Sequence, residues 1–181
     1  MNGKLVASLI LLIALVAGGA IYYLQMYGYY DRVIPTPGQD VQLVARNSDV
    51  SEPIAYTDFQ AIDANSSPIR YRACFTTDLS ADTLAATYVE RQGGEPRVAP
   101  GWFDCFDAKA IGAGIEAGTI RVFLSRKNID YGVDRVVGIS SDGHGWAWHE
   151  LNDCGDKNYD GTPVGEECPS RPQPGSTGAG G

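Results

Sequence analysis

From Leu5 to Leu24 the chain reads LVASLILLIALVAGGAIYYL, an apolar run without a single charge. At about 1.5 Å per residue, a helix of that length spans the roughly 30 Å hydrocarbon core of a bilayer. Apolar positions continue past Ala17-Gly18-Gly19-Ala20, whose small residues loosely resemble a signal-peptide cleavage site, into Ile21, Tyr22, Tyr23 and Leu24. Tyr27, Tyr29 and Tyr30 follow as an interfacial aromatic belt. The pattern predicts a retained transmembrane helix over residues 5–24, with a cleaved signal peptide as the competing reading. A short cytoplasmic end (1–4) precedes it, and an interfacial linker (25–39), containing Pro35-Thr36-Pro37-Gly38, comes after.

Beyond the linker the periodicity is that of a mixed domain. Asp40 to Arg46, DVQLVAR, reads as a first strand. In IRYRACFT, Ile69, Tyr71, Ala73 and Phe75 alternate with Arg70, Arg72, Cys74 and Thr76, the pattern of a half-buried strand. Ser80 is placed to cap a helix over about Ala81 to Gln92, with Ala81, Leu84, Ala85, Tyr88 and Val89 on one stripe, Leu79 and Leu84 as a hydrophobic staple and Gly93-Gly94 as the stop. A second helix is expected from Asp107 to Ala117, with Ala108, Ile111 and Ile115 inward and Gly118 ending it. From Thr119 the alternation is that of strands, with a turn near Asn128 to Gly132 and a hairpin at Asp142-Gly143. A two-residue loop there would pair Ile139 with Trp146, Val137 with Trp148 and Arg135 with Glu150, making both tryptophans core. The fold class expected is α+β: a transmembrane helix, then one domain (40–169) with an antiparallel sheet of about five strands and one or two helices on one face. The Pro, Gly and Ser-rich tail, 170–181, reads as disordered.

Charge sets the orientation. Of 14 Lys and Arg only Lys4 precedes the apolar run, whereas all 22 Asp and Glu follow it, leaving 13 basic against 22 acidic residues and a net −9 outside. Lys4 makes the short end cytoplasmic under the positive-inside rule, so the domain is expected in the periplasm. An acidic body argues against nucleic acid and against docking on anionic lipid. In that compartment Cys74, Cys105, Cys154 and Cys168 read as two disulfides, each contributing on the order of 3 kcal/mol. Order along the chain favours Cys74 with Cys105 and Cys154 with Cys168, although three pairings are possible.

Candidate chemistry is sparse. His144 and His149, five apart on one strand, point to opposite faces and do not converge on a metal. No G-x-S-x-G surrounds a serine, and a Ser140 or Ser141 arrangement with His149 has no sequence support. No catalytic residues are therefore expected. Asp156, Asn158, Asp160, Thr162 and Glu167 occupy the ligand positions of a calcium loop, D-x-[DN]-x-[DN]-G-x5-E, with Gly161 at the turn. Its flanks are a strand and a proline-rich exit rather than helices, and a Cys154–Cys168 link would by itself explain an ordered acidic turn. Calcium is the one cofactor the sequence suggests. Arg70 and Arg72 could grip an anionic group or pair with local carboxylates. Trp102, Phe103 and Phe106 could pack on a disulfide or, if exposed, form a docking patch.

At YRACFTTDL, APGWFDCFDA and YGVDRVV, together with the apolar run, the chain resembles a family of short single-span bacterial inner-membrane proteins with a disulfide-bonded periplasmic domain and no established activity. The resemblance covers most of the chain and brings no catalytic residues. The function expected is that of a membrane-anchored periplasmic interaction protein, an accessory or assembly factor with an inner-membrane protein partner and the bilayer as its seat. The alternative is a calcium-stabilised binding module using the Asp156 to Glu167 loop.

Overall fold

Helix α1 (Gly3–Tyr23) begins the chain and runs without a break into one wider π-type turn, Leu24–Gly28, where the Tyr29 N–H donates to the Leu24 carbonyl five residues back at 3.1 Å. In this computed structural model, residues 2–165 and 168–169 are described; the tail over 170–181 lies outside them. The helical stretch Gly3–Gly28 is 26 residues long and apolar enough to cross a membrane, and no residue of α1 is buried against the rest of the protein.

The domain is built on a seven-stranded antiparallel sheet, against the five strands expected. Its strands are β1 (Asp31–Arg32), β4 (Thr57–Asp63), β5 (Arg72–Thr76), β6 (Glu90–Arg91), β7 (Ile120–Asp130), β8 (Val133–Ser140) and β9 (His144–Leu151), in the order β1-β4-β5-β9-β8-β7-β6. Strands β2 (Gln42–Val44) and β3 (Ser51–Pro53) form a separate ribbon packed on β7. The strands not expected in it are β4 and the two-residue edges β1 and β6, while the expected first strand, as β2, lies in the ribbon instead. Strand β1 arises inside the expected linker and pairs Asp31 with Asp63 and Arg32 with Ile62.

Period-two alternation sends side chains to two cores, one on each face of the sheet. Ala61, Ala73, Ala147, Val137 and Phe123 line up across β4, β5, β9, β8 and β7 on one face, beneath Leu43 of β2 and Leu84 of helix α2 (Ala81–Thr87). Ile62, Cys74, Trp148, Val136 and Val122 belong to the other, beneath Ile111 of helix α3 (Ala108–Glu116) and beneath Phe103 and Phe106. The helices therefore cover opposite faces, not one. Strand β5 is buried on both sides instead of half-buried, and Ile69 falls outside it.

Ser80 caps its helix as expected, and Asp107, expected as the first helical residue, is the N-cap of α3. Ser80 Oγ accepts from the Thr83 N–H at 3.2 Å, and Asp107 Oδ1 accepts from the Lys109 and Ala110 N–H groups at 3.0 and 3.1 Å. Gly118, at φ 72°, ends α3. Helix α2, however, stops at Thr87 instead of reaching Gln92, because the sheet claims the backbone that follows. The Val89 N–H donates to Val44 O at 2.8 Å, and Val89 O accepts from the Leu124 N–H at 2.9 Å.

The β8–β9 hairpin turns at Asp142-Gly143, but through residues 141–143. Gly143, at φ 84°, donates its N–H to Ser140 O at 3.1 Å, a turn closed by a left-handed glycine. The extra residue slips the register by one: Ile139 faces Gly145, Val137 faces Ala147 and Arg135 faces His149. A one-residue slip exchanges faces. The tryptophans consequently sit with Val136 and Gly138, where a glycine gives the Trp148 ring room, since a Cβ there would lie 3.2–3.3 Å from it. Trp148 is fully buried and Trp146 half-buried.

Candidate functional site

The helix meets the domain at residues 99–107. A Cys74–Cys105 disulfide, with Cα atoms 6.2 Å apart, pins this segment to the centre of β5, and Trp146 Nε1 donates to Cys105 O at 3.0 Å. Phe103 and Phe106 fold under it, 7% and 4% exposed, so neither is available as a docking surface. Trp102 instead reaches the helix. Its Nε1 donates to Met26 O at 2.5 Å; its ring stacks on Tyr27 and meets Tyr30 edge-on, with centroids 6.3 Å apart in each case. Tyr23 and Tyr27 stack at 5.8 Å. Part of the expected belt is thus a column of rings joining α1 to the domain.

Beside that column lies a cleft of about 490 Å³, with Gln25, Met26 and Tyr30 on one wall and Arg70, Arg72 and Arg97 on the other; no acidic side chain lines it. Arg72 is 3% exposed. Its Nε donates to Arg97 O at 2.7 Å and its Nη1 to Ile69 O and Tyr71 O at 2.8 and 2.6 Å, while its guanidinium carbon lies 5.6 Å from the Phe106 ring centre. Burial pushes its pKa down to about 10, which leaves it charged at neutral pH. Arg70 lies over the Tyr30 ring at 5.6 Å. The expected pairing of Arg70 and Arg72 with local carboxylates does not occur: among the described residues the arginine ion pairs are made by Arg91 and Arg121. Arg97 and the helix residues of this cleft were not anticipated, since they come from separate segments and carry no motif.

The other polar clusters are already satisfied. On the opposite face of the sheet, Arg135 Nε donates to His149 Nε2 at 3.0 Å, His149 Nδ1 donates to Pro68 O at 2.6 Å, and the guanidinium lies 3.9 Å over the Tyr71 ring. Burial, then the adjacent Arg135 charge, push the His149 pKa down to about 4. This histidine is a neutral structural group, far from Ser140, whose hydroxyl bonds Asp142 and the His144 carbonyl in the hairpin loop. Asp134 and Glu150, cross-strand partners, share Arg91 at 3.3 Å each. Their remaining oxygens accept from the Asn128 N–H and Asn152 Nδ2, and from the Glu95 N–H and Trp148 Nε1. Such a clasp holds a strand edge in place and leaves no free carboxylate oxygen for chemistry.

In the acidic loop, Cys154 and Cys168 are joined, with Cα atoms 5.0 Å apart. The loop is a small hairpin in which Lys157 pairs with Pro163. The Thr162 carbonyl accepts from the Asn158 N–H at 2.8 Å, and Asp160 Oδ1 accepts from the Thr162 N–H and Oγ1 at 3.0 and 2.6 Å. These bonds turn the Asp160 carboxylate and the Thr162 carbonyl onto loop partners. Glu167 lies outside the described residues, among which no group of three or more His, Cys, Asp or Glu is placed to hold a metal.

An apolar helix seated by aromatic rings on a disulfide-pinned antiparallel domain defines the class of this protein. More particularly, the chain belongs to the family of unknown function DUF6446, which it matches over residues 41–169, from β2 past the second disulfide. No curated protein and no solved structure matches it.

Proposed function

We propose that this is a membrane-anchored interaction protein, held by α1 in a bacterial inner membrane with its domain on the periplasmic side, where it supports or helps assemble a larger membrane complex. The observation that carries this reading is the junction. The π-type turn that continues α1, and Tyr30 just after it, are built into the domain through Met26, Tyr27 and Tyr30 on Trp102, which supports one oriented surface of domain and helix at the bilayer. Two disulfides suit an oxidising compartment. The helix surface is unburied along its length, and Ala14 and Gly18 have the small-xxx-small spacing that lets a partner helix approach. Apart from the arginine cleft, the polar clusters described above are engaged in holding the domain together, which supports a role by contact.

The test is purification of tagged full-length protein from its native membrane in mild detergent, with identification of what accompanies it in stoichiometric amount. An integral-membrane partner is expected, and its loss on substituting Gly18 by Leu would assign the contact to the helix. Recovery of the protein alone, cleaved and soluble, would contradict the reading.

A further inference from the structure

The cleft at the foot of the helix gathers three arginines, although the chain after the apolar run carries a net −9, and among the described residues no carboxylate stands within ion-pair distance of any of them. Burying a guanidinium on carbonyl partners without an ion pair leaves its charge poorly compensated, a state that an incoming anion relieves. Arg72, 3% exposed and facing the cleft, has carbonyl partners and no ion pair, with Asp63 acting on it only at longer range. Position names the anion. Gln25 and Met26 follow directly on Leu24, the last residue of the apolar run, so with α1 across a bilayer the cleft stands at headgroup depth. On its rim Val98 is 81% exposed, an apolar side chain beside the cationic groups, as the boundary between headgroup and acyl chain requires.

We propose that Arg70, Arg72 and Arg97 form a binding site for the phosphate of an anionic phospholipid headgroup. Arginine suits this because its planar fork donates two parallel hydrogen bonds to phosphate oxygens. The acidic body as a whole is repelled by an anionic leaflet, but the helix sets the distance, and screening over roughly 8 Å lets the local cationic cleft decide what binds there. The site rests on the reading of α1 as a retained span.

Full-length protein in mild non-ionic detergent is titrated with phosphatidylglycerol, phosphatidylcholine or inorganic phosphate, and bound lipid is counted by native mass spectrometry. Phosphatidylglycerol is expected to be retained in preference to phosphatidylcholine. Arg70→Gln with Arg97→Gln, both side chains outside the buried core, is expected to lower that preference about tenfold, while Arg126→Gln on the far end of the sheet leaves it unchanged. Equal retention of the two lipids, or full retention by the double variant, overturns the site. Stabilisation by inorganic phosphate without a selective lipid adduct overturns the lipid as its occupant. The same spectra give the mass of the chain, so removal of the helix would be seen separately from a failure to choose between lipids.

Discussion

Replacing Trp102 by alanine probes the joint between helix and domain. The change removes the Nε1 hydrogen bond to Met26 O and the ring contacts with Tyr27, Tyr30 and Phe103. The hydrogen bond is worth about 0.5–1.5 kcal/mol net, and each ring pair about 0.5–1.5 kcal/mol beyond its buried area. For a half-buried tryptophan the loss comes to about 2–4 kcal/mol, below the 3–5 kcal/mol or so typical of a fully buried ring. Part of that loss would occur even if the helix were loose, so the informative quantity is a double-mutant cycle. Trp102→Ala, Tyr27→Ala and the double variant are unfolded with urea as full-length protein in detergent, followed by near-ultraviolet circular dichroism. The expected coupling is about 1 kcal/mol for this pair. Tyr29, 42% exposed and without a ring contact to Trp102, serves as the control and is expected to be additive within about 0.3–0.5 kcal/mol. Additivity of Trp102 and Tyr27 would refute the seated helix.

Stability should also respond to pH through His149. Its folded pKa, about 4, lies below the ordinary 6.5, so the unfolded chain binds the extra proton between those values. The contribution is full above about pH 6.5 and is lost as pH falls toward 4, on the order of 3 kcal/mol in all. His149→Gln should flatten that slope in urea titrations, and a flat wild-type profile would show the reasoning wrong. A Cβ at Gly145 would overlap the Phe75 ring, which is 3% exposed and hemmed in, so Gly145→Ala should cost about 1–3 kcal/mol. Gly138→Ala, with contacts of 3.1–3.3 Å, should cost less, and the reverse order in thermal melts would contradict the packing. Replacing Cys74 and Cys105 by serine opens a link across 31 residues and should cost about 3–4 kcal/mol, more than the same change at Cys154 and Cys168, 14 apart. Equal losses in parallel denaturation curves would argue that the shorter link also braces the sheet.

What was legible in the sequence was local. The Ser80 cap, a helix starting beside Asp107, the Gly118 stop and the uncharged run each depend on residues within a turn or two, and each appears where expected. The pairing of cysteines in chain order also holds. What escaped depends on partners distant in sequence. Tyr88 and Val89 fit a helical stripe, yet β2 and β7 offer their backbone sheet hydrogen bonds, and the helix gives way. Edge strands of two residues, β1 and β6, are too short to show any alternation. The hairpin dipeptide located the turn but not its length, and the single extra residue moved Trp146, Trp148 and His149 to unexpected neighbours. Of the cleft, Arg70 and Arg72 could be suspected from one strand; Arg97, Gln25 and Met26 join them only in three dimensions.

The most direct test of a helix-anchored, disulfide-bonded domain is the intact mass of the chain extracted from washed membranes, with and without thiol alkylation under denaturing, non-reducing conditions. The predicted result is a chain that retains residues 5–24 and takes up no alkyl group on Cys74, Cys105, Cys154 or Cys168. A chain beginning after Ala20, or one alkylated at all its cysteines, would contradict it.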